Sequence, residues 1–437
     1  MLPADHPLRI ANFRAYWASR LLSTLAGTAL AIVLGWQVYS IARETMAIKD
    51  AAFLLGMIGA AQFVPIFLLT PIVGLAADSI DRRLIVIVST TLLVATAAIL
   101  GLATWGGWIS LPVLFAAAFT IGCIRAFSGP AYSALTPNLV PREVLPTALA
   151  VSSIAWQVGS IAGPSLGGLL YALHPDVAYG AITAMLALAL GALTLIGKVP
   201  QPPAQKDHRI VARISEGFSY VRRNRLVLGA ITLDLFVVLL AGATALMPIY
   251  ARDFLTYGGD AFGPTRLGIL AASMGAGASV SSVIFSIRPL RKGVGAKMLF
   301  AVAFFGLCIL AFGTAHLFLP PLAALCVAVL ALAAAGAADM VSVYVRTSLI
   351  QLHTPDEMRG RVSAVSQLTI SASNELGEAE SGLVASLIGP VGAIVVGGVG
   401  AIGVTLLWAR IFPELRLAKT FDPPEILEIH PEHGVQP

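Results

Sequence analysis

The sequence has little charge. Only 12% of its 437 residues are Asp, Glu, Lys or Arg, while 57% are hydrophobic and the mean hydropathy is +0.85. Soluble domains carry about 25% charged residues, so a water-soluble fold would lack the polar surface to cover itself. Cysteine is equally scarce. Cys123, Cys308 and Cys326 all lie in apolar runs, where a thiol is a small packing group. They make neither a disulfide framework nor a metal-type spacing. The alternating ten-residue segments of a membrane β-barrel are missing. So are a G-x-S-x-G elbow, an H-E-x-x-H pair and a P-loop, so no enzyme activity, cofactor or metal is expected. No basic patch is interleaved with stacking aromatics, which argues against a nucleic-acid partner.

Long apolar runs are present instead. No charge interrupts Leu84 to Trp105, Leu111 to Cys123, Gly180 to Gly197, Met298 to Ala315 or Gly389 to Ala409, and about 20 apolar residues cross a bilayer core as a helix. The expected fold is an all-α integral membrane protein. Its spans fall at roughly 15–41, 52–76, 84–105, 110–136, 144–172 and 176–197, then 228–250, 266–287, 297–316, 319–346, 358–388 and 390–411. These divide the chain into a bundle at 1–197, a cytoplasmic central loop at 198–225, a second bundle at 226–411 and a tail at 412–437. The segment Met1 to Tyr16 is polar and basic, and the apolar stretch after it is too long for a signal-peptide core; it reads as the first membrane helix.

Positive charge sets the orientation. Of the 28 lysines and arginines, Arg20 and Arg125 lie within spans, and Arg43, Lys49, Arg252 and Arg266 lie in loops on one side. The rest fall on the side of the termini. Both termini are therefore expected in the cytoplasm, in a multi-pass protein of the inner membrane.

The two halves repeat. One constant shift puts Gly122, Pro141, Glu143, Val151 and Ser152 on Gly336, Pro355, Glu357, Val365 and Ser366. The same shift puts Gly163 and Gly168 on Gly377 and Gly382, without a gap across a whole helix-loop-helix. Two parallel six-helix repeats, about twelve helices in pseudo-symmetric halves, place a binding site at their interface.

Three motifs carry a family resemblance. After the second span, Gly74 to Arg83 reads G-L-A-A-D-S-I-D-R-R, with Gly74, Asp78, Arg82 and Arg83 at the signature positions but Ser79 and Asp81 departing from it. The fourth span carries R-A-F-S-G, Arg125 to Gly129. The fifth carries G-S-I-A-G-P-S-L-G-G, with Gly159, Gly163, Pro164, Gly167 and Gly168. Glycines four apart make a flat strip for close packing, and Pro164 removes a helical hydrogen bond beside it. The chain resembles the exporter side of the major facilitator superfamily. Asn12 to Ser23, Gly35 to Tyr39, Glu216 to Asn224 and Asn374 to Gly382 resemble the branch that contains the enterobactin exporter. The resemblance implies alternating access, export of a small, partly hydrophobic molecule such as a siderophore or a drug-like compound, and proton antiport. It leaves uptake or facilitated diffusion, and a transport-dead sensor, as alternatives. A small-molecule substrate, protons and the lipid bilayer are the expected partners of what is expected to be a monomer. Cargo, coupling ion and stoichiometry stay open.

Ionisable residues inside spans are functional candidates. Arg20, Arg125, Asp234 and Asp339 fall on spans one, four, seven and ten, which line the cavity in this superfamily. The shift places Arg125 on Asp339 and Arg20 on Asp234. Either they pair across the halves and gate the cytoplasmic side, or each pairs within its own half. For Arg125 a structural ion pair and a part in proton transfer both fit. Span eleven holds Glu375, Glu378 and Glu380. The first two share a face near mid-membrane, where neighbouring carboxylates cannot all ionise cheaply, as proton coupling requires. They could also pair with an arginine of another helix or line a vestibule.

Overall fold

Each apolar run forms the helix expected of it, because in lipid a helix satisfies all of its own backbone polar groups. The computed structural model describes residues 6–197 and 210–421, with backbone alone at 70–79, 210–214, 243 and 356. The first six long helices are α1 (Ala11–Thr45), α2 (Ile48–Ser79), α3 (Arg82–Trp105), α4 (Leu111–Leu135), α5 (Leu145–Leu173) and α6 (Pro175–Thr194). The second six are α7 (Arg225–Leu240), α8 (Gly263–Ile287), α9 (Val294–Phe318), α10 (Pro321–Leu352), α11 (Asp356–Ile388) and α12 (Pro390–Ile411). Among the described residues, 11 segments are long and apolar enough to cross a membrane. The twelfth, α11, falls short because of its carboxylates and serines, and it is covered by α2, α7 and α12.

Two features differ from the expected layout. The central stretch is not all loop, since Ile210–Arg223 forms a helix. It lies on the start of α11. Gly217 abuts the backbone of Arg361, Val221 is buried, and Tyr220 donates to the carbonyl of His353 at 2.6 Å. Glu216 pairs with Arg361 of α11 at 2.6 Å, and the other face carries exposed Arg222 and Arg223, so amphipathicity orders it. The seventh span is also not one straight helix. It breaks after Leu240 and resumes as short turns through Phe254. A side-chain carbon on Gly242 would come 2.5 Å from the carbonyl oxygen of Gly377, so the break lets α11 lie against bare backbone.

The halves repeat in their packing. α1–α5, α2–α4 and α3–α6 contacts return as α7–α11, α8–α10 and α9–α12. Across the halves, α2 packs on α11 and α5 on α8. The face that carries the termini and the linker is called here the terminal face, and the opposite one the distal face. Toward the distal face a single apolar core runs through both halves, from Leu30, Tyr39 and Leu55 to Tyr250, Leu267 and Ile394. Toward the terminal face it splits. One core, with Phe13, Tyr16 and Leu135, stays in the first half. Others, with Leu233 and Met298 or Val221 and Ile350, stay in the second. The halves are thus joined at the distal side and, among the described residues, share no apolar core at the terminal side.

Candidate functional site

Between the joined and divided regions, α2, α4 and α11 converge. Gly122 on α4 leaves room for α2: a side-chain carbon there would sit 2.6 Å from the Gln62 carbonyl oxygen. Gly59 on α2 does the same for α11, where the conflict would be with the Glu375 carbonyl oxygen at 2.6 Å. These approaches bring three polar side chains together. Arg125 Nη1 lies 2.6 Å from Glu375 Oε1 and donates to Gln62 Oε1 at 3.0 Å. The Glu375 side chain is 5% exposed and Arg125 is 52% exposed. A carboxylate closed off from water therefore depends on a half-open guanidinium of the other half. The Glu378 side chain lies one turn on, against Gly59. Of the readings open for α11, the structure gives Glu375 the arginine of another helix.

The four cavity-helix charges do not pair with one another across the halves in this structure. Asp234 forms an ion pair with Arg346 of α10, inside the second half, with both side chains under a tenth exposed. Arg20 stacks its guanidinium over Tyr132 of α4, 5.6 Å from the ring centre, inside the first half. Asp339 has no ion pair among the described residues. Arg125 meets Glu375, not Asp339. With the terminal side parted, Asp234 and Arg20 are engaged inside their own halves, while Arg125 pairs across them with Glu375. Residues held in separate cores cannot reach one another. Yet the repeat holds. Arg20 and Tyr132 become Asp234 and Arg346 under the same 214-residue shift that relates Tyr39 to Asp253, so one contact is built twice with different chemistry. Arg346 counts as an ordinary surface charge in the sequence and is buried in the structure.

The loop motif is partly in view. The Asp78 side chain and the surroundings of Gly74 lie outside what is described. Arg82 donates to the Ala134 carbonyl and Arg83 to the Thr194 carbonyl, both at 3.1 Å. Each cation thus meets the carbonyl end of a helix, α4 or α6, where the dipole favours it. The glycine strip of α5 packs on α1. Side-chain carbons on Gly159, Gly163 and Gly167 would meet Thr24 Cβ at 2.8 Å, the Leu25 carbonyl oxygen at 2.5 Å and the Ala29 carbonyl oxygen at 2.7 Å. Thr28 donates to the Gly159 carbonyl at 3.0 Å, beside Pro164. Gly168 faces the other half and would meet Gly268 Cα at 2.6 Å. Its repeat mate Gly382 abuts Gly56 in the same way. Two glycine-on-glycine contacts thus bring the halves together toward the distal face.

The distal closure also has a polar part that the sequence reading missed. Arg43 and Asp253 pair at 3.2 Å, and Tyr39 donates to the same carboxylate. Arg252 donates to the Ser40 carbonyl at 3.1 Å. Buried Arg266 holds the carbonyls of Ala251 and Tyr257 at 2.8 and 2.6 Å and so fixes the turn that presents Asp253. Beside this cluster a vestibule of about 570 Å³ opens, lined by Trp36, Tyr171 and His174 among others.

Comparison with known proteins gives a consistent result. Residues 4–426 match the family described as "transmembrane secretion effector". The enterobactin exporter EntS of Citrobacter koseri is 25% identical over 411 residues, covering 92% of each chain. EntS of Escherichia coli O1:K1 / APEC is 24% identical over 421 residues, 95% of this chain and 94% of that one. Among solved structures, a bacterial homolog of the human lysosomal transporter Spinster, inward-facing and occupied, superposes with a TM-score of 0.69 at 15% identity, over 94% of this chain and 98% of that one. A bacterial homologue of the iron transporter ferroportin in an inward-facing state gives 0.64 at 18% identity, over 94% and 99%. At those identities the structures speak for the fold alone.

Proposed function

This chain belongs to the transmembrane secretion effector family of the major facilitator superfamily, and on that premise we propose that it exports a small, partly hydrophobic molecule across the inner membrane by proton antiport. The terminal face is the cytoplasmic one in this reading, and cargo enters there as a monomeric carrier alternates between its two faces. The printed name of the relatives, enterobactin exporter, supports the outward direction and a siderophore-like or drug-like cargo.

The observation that carries the reading is the Arg125–Glu375 bridge. It links the halves at the level where the shared core ends. A charge-assisted bond of this kind is about twice as strong as a neutral one. Protonating Glu375 therefore weakens the tie to α4, and losing the proton restores it. Glu378, a turn away on the same face, is the second carboxyl able to hold the proton. Cargo that engages Arg125 competes with Glu375 for it and favours proton uptake by the carboxylate.

The test uses inverted membrane vesicles with an acid lumen. The cargo is first identified by comparing exported metabolites of wild type and deletion strains. Wild type accumulates it in the lumen and a protonophore abolishes accumulation. Glu375→Gln or Glu378→Gln keeps passive exchange and loses accumulation. If both single variants and the double variant still concentrate cargo in a pH-dependent way, the coupling site lies elsewhere. Flux in the opposite sense under the same gradient supports uptake instead.

A further inference from the structure

We propose that Arg20 and Tyr132 form an anion-recognition site in the first half, so that the cargo carries a negatively charged group next to an aromatic or apolar body. The inference rests on the transport reading for its context but not on the direction or coupling of transport.

Four observations converge. First, Arg125 and Tyr132 are seven residues apart on α4, two helical turns, and so lie on one face. Arg125 reaches across to α11, which means that this face looks toward the second half. Arg20 lies over the Tyr132 ring and shares that outlook. Second, the surface there is open. Gly129, between the two on α4, has no atom within 4 Å of an added side-chain carbon, and Gly27, two turns along α1 from Arg20, has none either. Third, the guanidinium is not neutralised. Among the described residues no carboxylate pairs with Arg20, and its Nε is buried without a hydrogen-bond partner. A guanidinium presents five donors in a planar fork that matches carboxylate and phosphate oxygens, so unfilled donors favour an incoming acceptor.

The fourth observation is the repeat. The equivalent position in the second half holds a buried Asp234–Arg346 ion pair. There the arginine has its carboxylate built in. In the first half Arg20 takes the carboxylate's position and Tyr132 the arginine's, with the tyrosine hydroxyl held by Ser19 and Ser23 at 3.1 Å. One half supplies a carboxylate beside its cation, and the other, among the described residues, holds a cation without one. Tyr132 itself is 8% exposed and so positions Arg20, while the open glycine faces beside the guanidinium leave room for an apolar body next to the anion.

The test is equilibrium binding to the purified full chain in lipid nanodiscs, without any gradient. The probes are dansylglycine, an aromatic carboxylate, and its neutral amide, followed by dansyl fluorescence. Wild type binds the carboxylate more tightly by about tenfold or more, as one charge-assisted contact provides. In Arg20→Gln the ratio falls to near one while amide affinity is kept, and that retained affinity reports a folded site. Arg20→Met, which keeps the apolar contact with Tyr132, loses the ratio in the same way and carries the test if the Gln variant does not accumulate. The proposal is overturned if wild type shows no preference for the carboxylate, or if the preference survives either neutral variant. The latter outcome makes Arg20 a partner of protein carboxylates rather than of cargo. A chain that shows the preference but fails the vesicle assay overturns the export reading alone.

Discussion

Asp234→Asn should cost stability, not merely slow transport. The two side chains of the Asp234–Arg346 pair are 8% and 6% exposed, so the loss of one leaves a guanidinium buried without its counter-charge. Breaking such a pair costs about 3–5 kcal/mol, and at about 1.4 kcal/mol per factor of ten this is two to four orders of magnitude in the folding equilibrium. The repeat-equivalent change is an internal control. Arg20→Gln removes a cation stacked on a ring, worth about 0.5–2 kcal/mol. Thermal unfolding of the purified proteins in one detergent, read as the monodisperse fraction after heating, should rank wild type above Arg20→Gln and that above Asp234→Asn. Adding Arg346→Met to Asp234→Asn should recover most of the loss, because removing both charges of a buried pair is close to neutral. The reasoning fails if Asp234→Asn is as stable as wild type and only its transport rate changes. In that case Asp234 works across the halves, as the sequence alone allowed.

Gly163→Leu should abolish transport and lower stability by about 1–3 kcal/mol through overpacking, since α1 fills the space in front of it; full vesicle transport by this variant would mean that the α1–α5 contact is not needed. Asp253→Asn should loosen the distal closure by removing the negative charge shared by Tyr39 and Arg43. Spin labels at exposed Trp108 and Phe318 should then show a larger population at long distance, and an unchanged distribution would assign the closure to the glycine contacts alone.

Most of the architecture was legible because membrane helices announce themselves by length and apolarity, and because a gap-free repeat fixes how the halves correspond. The α5 glycine strip was legible for a similar reason: only a contact with backbone explains glycines four apart. The break after α7 was not, since the span's proline, Pro248, lies in the turns beyond it and the cause is Gly377 of a distant helix. The linker helix was hidden because its buried side is only Gly217 and Val221 in the part described. The polar contacts were the least legible. Sequence places Arg346, Arg266 and Asp253 near helix ends without saying which way they point. One signal was available. The shift that aligns the glycines also puts Tyr39 on Asp253 and Tyr132 on Arg346, and residues close to a pseudo-two-fold axis lie close to their own repeat mates.

That axis also links Arg20 to the other half. Tyr39 and Asp253 are repeat mates, and they touch because the distal side is closed. Arg20 and Asp234 are repeat mates on the same two helices toward the terminal face, where the halves are parted. When the terminal face closes and the distal face opens, the same symmetry brings Arg20 toward Asp234. But Asp234 already serves Arg346, so two cations would share one carboxylate in a region losing its water. An unneutralised charge there costs several kcal/mol, enough to disfavour closure by more than a hundredfold. An anionic cargo on Arg20 removes that penalty, which makes closure depend on cargo. Arg20→Gln should therefore close its terminal face without cargo. Spin labels at exposed Arg142 and Arg359 should report a short-distance population in the empty variant that wild type lacks. If the empty variant and wild type give the same distribution, the charge on Arg20 does not hold the carrier open.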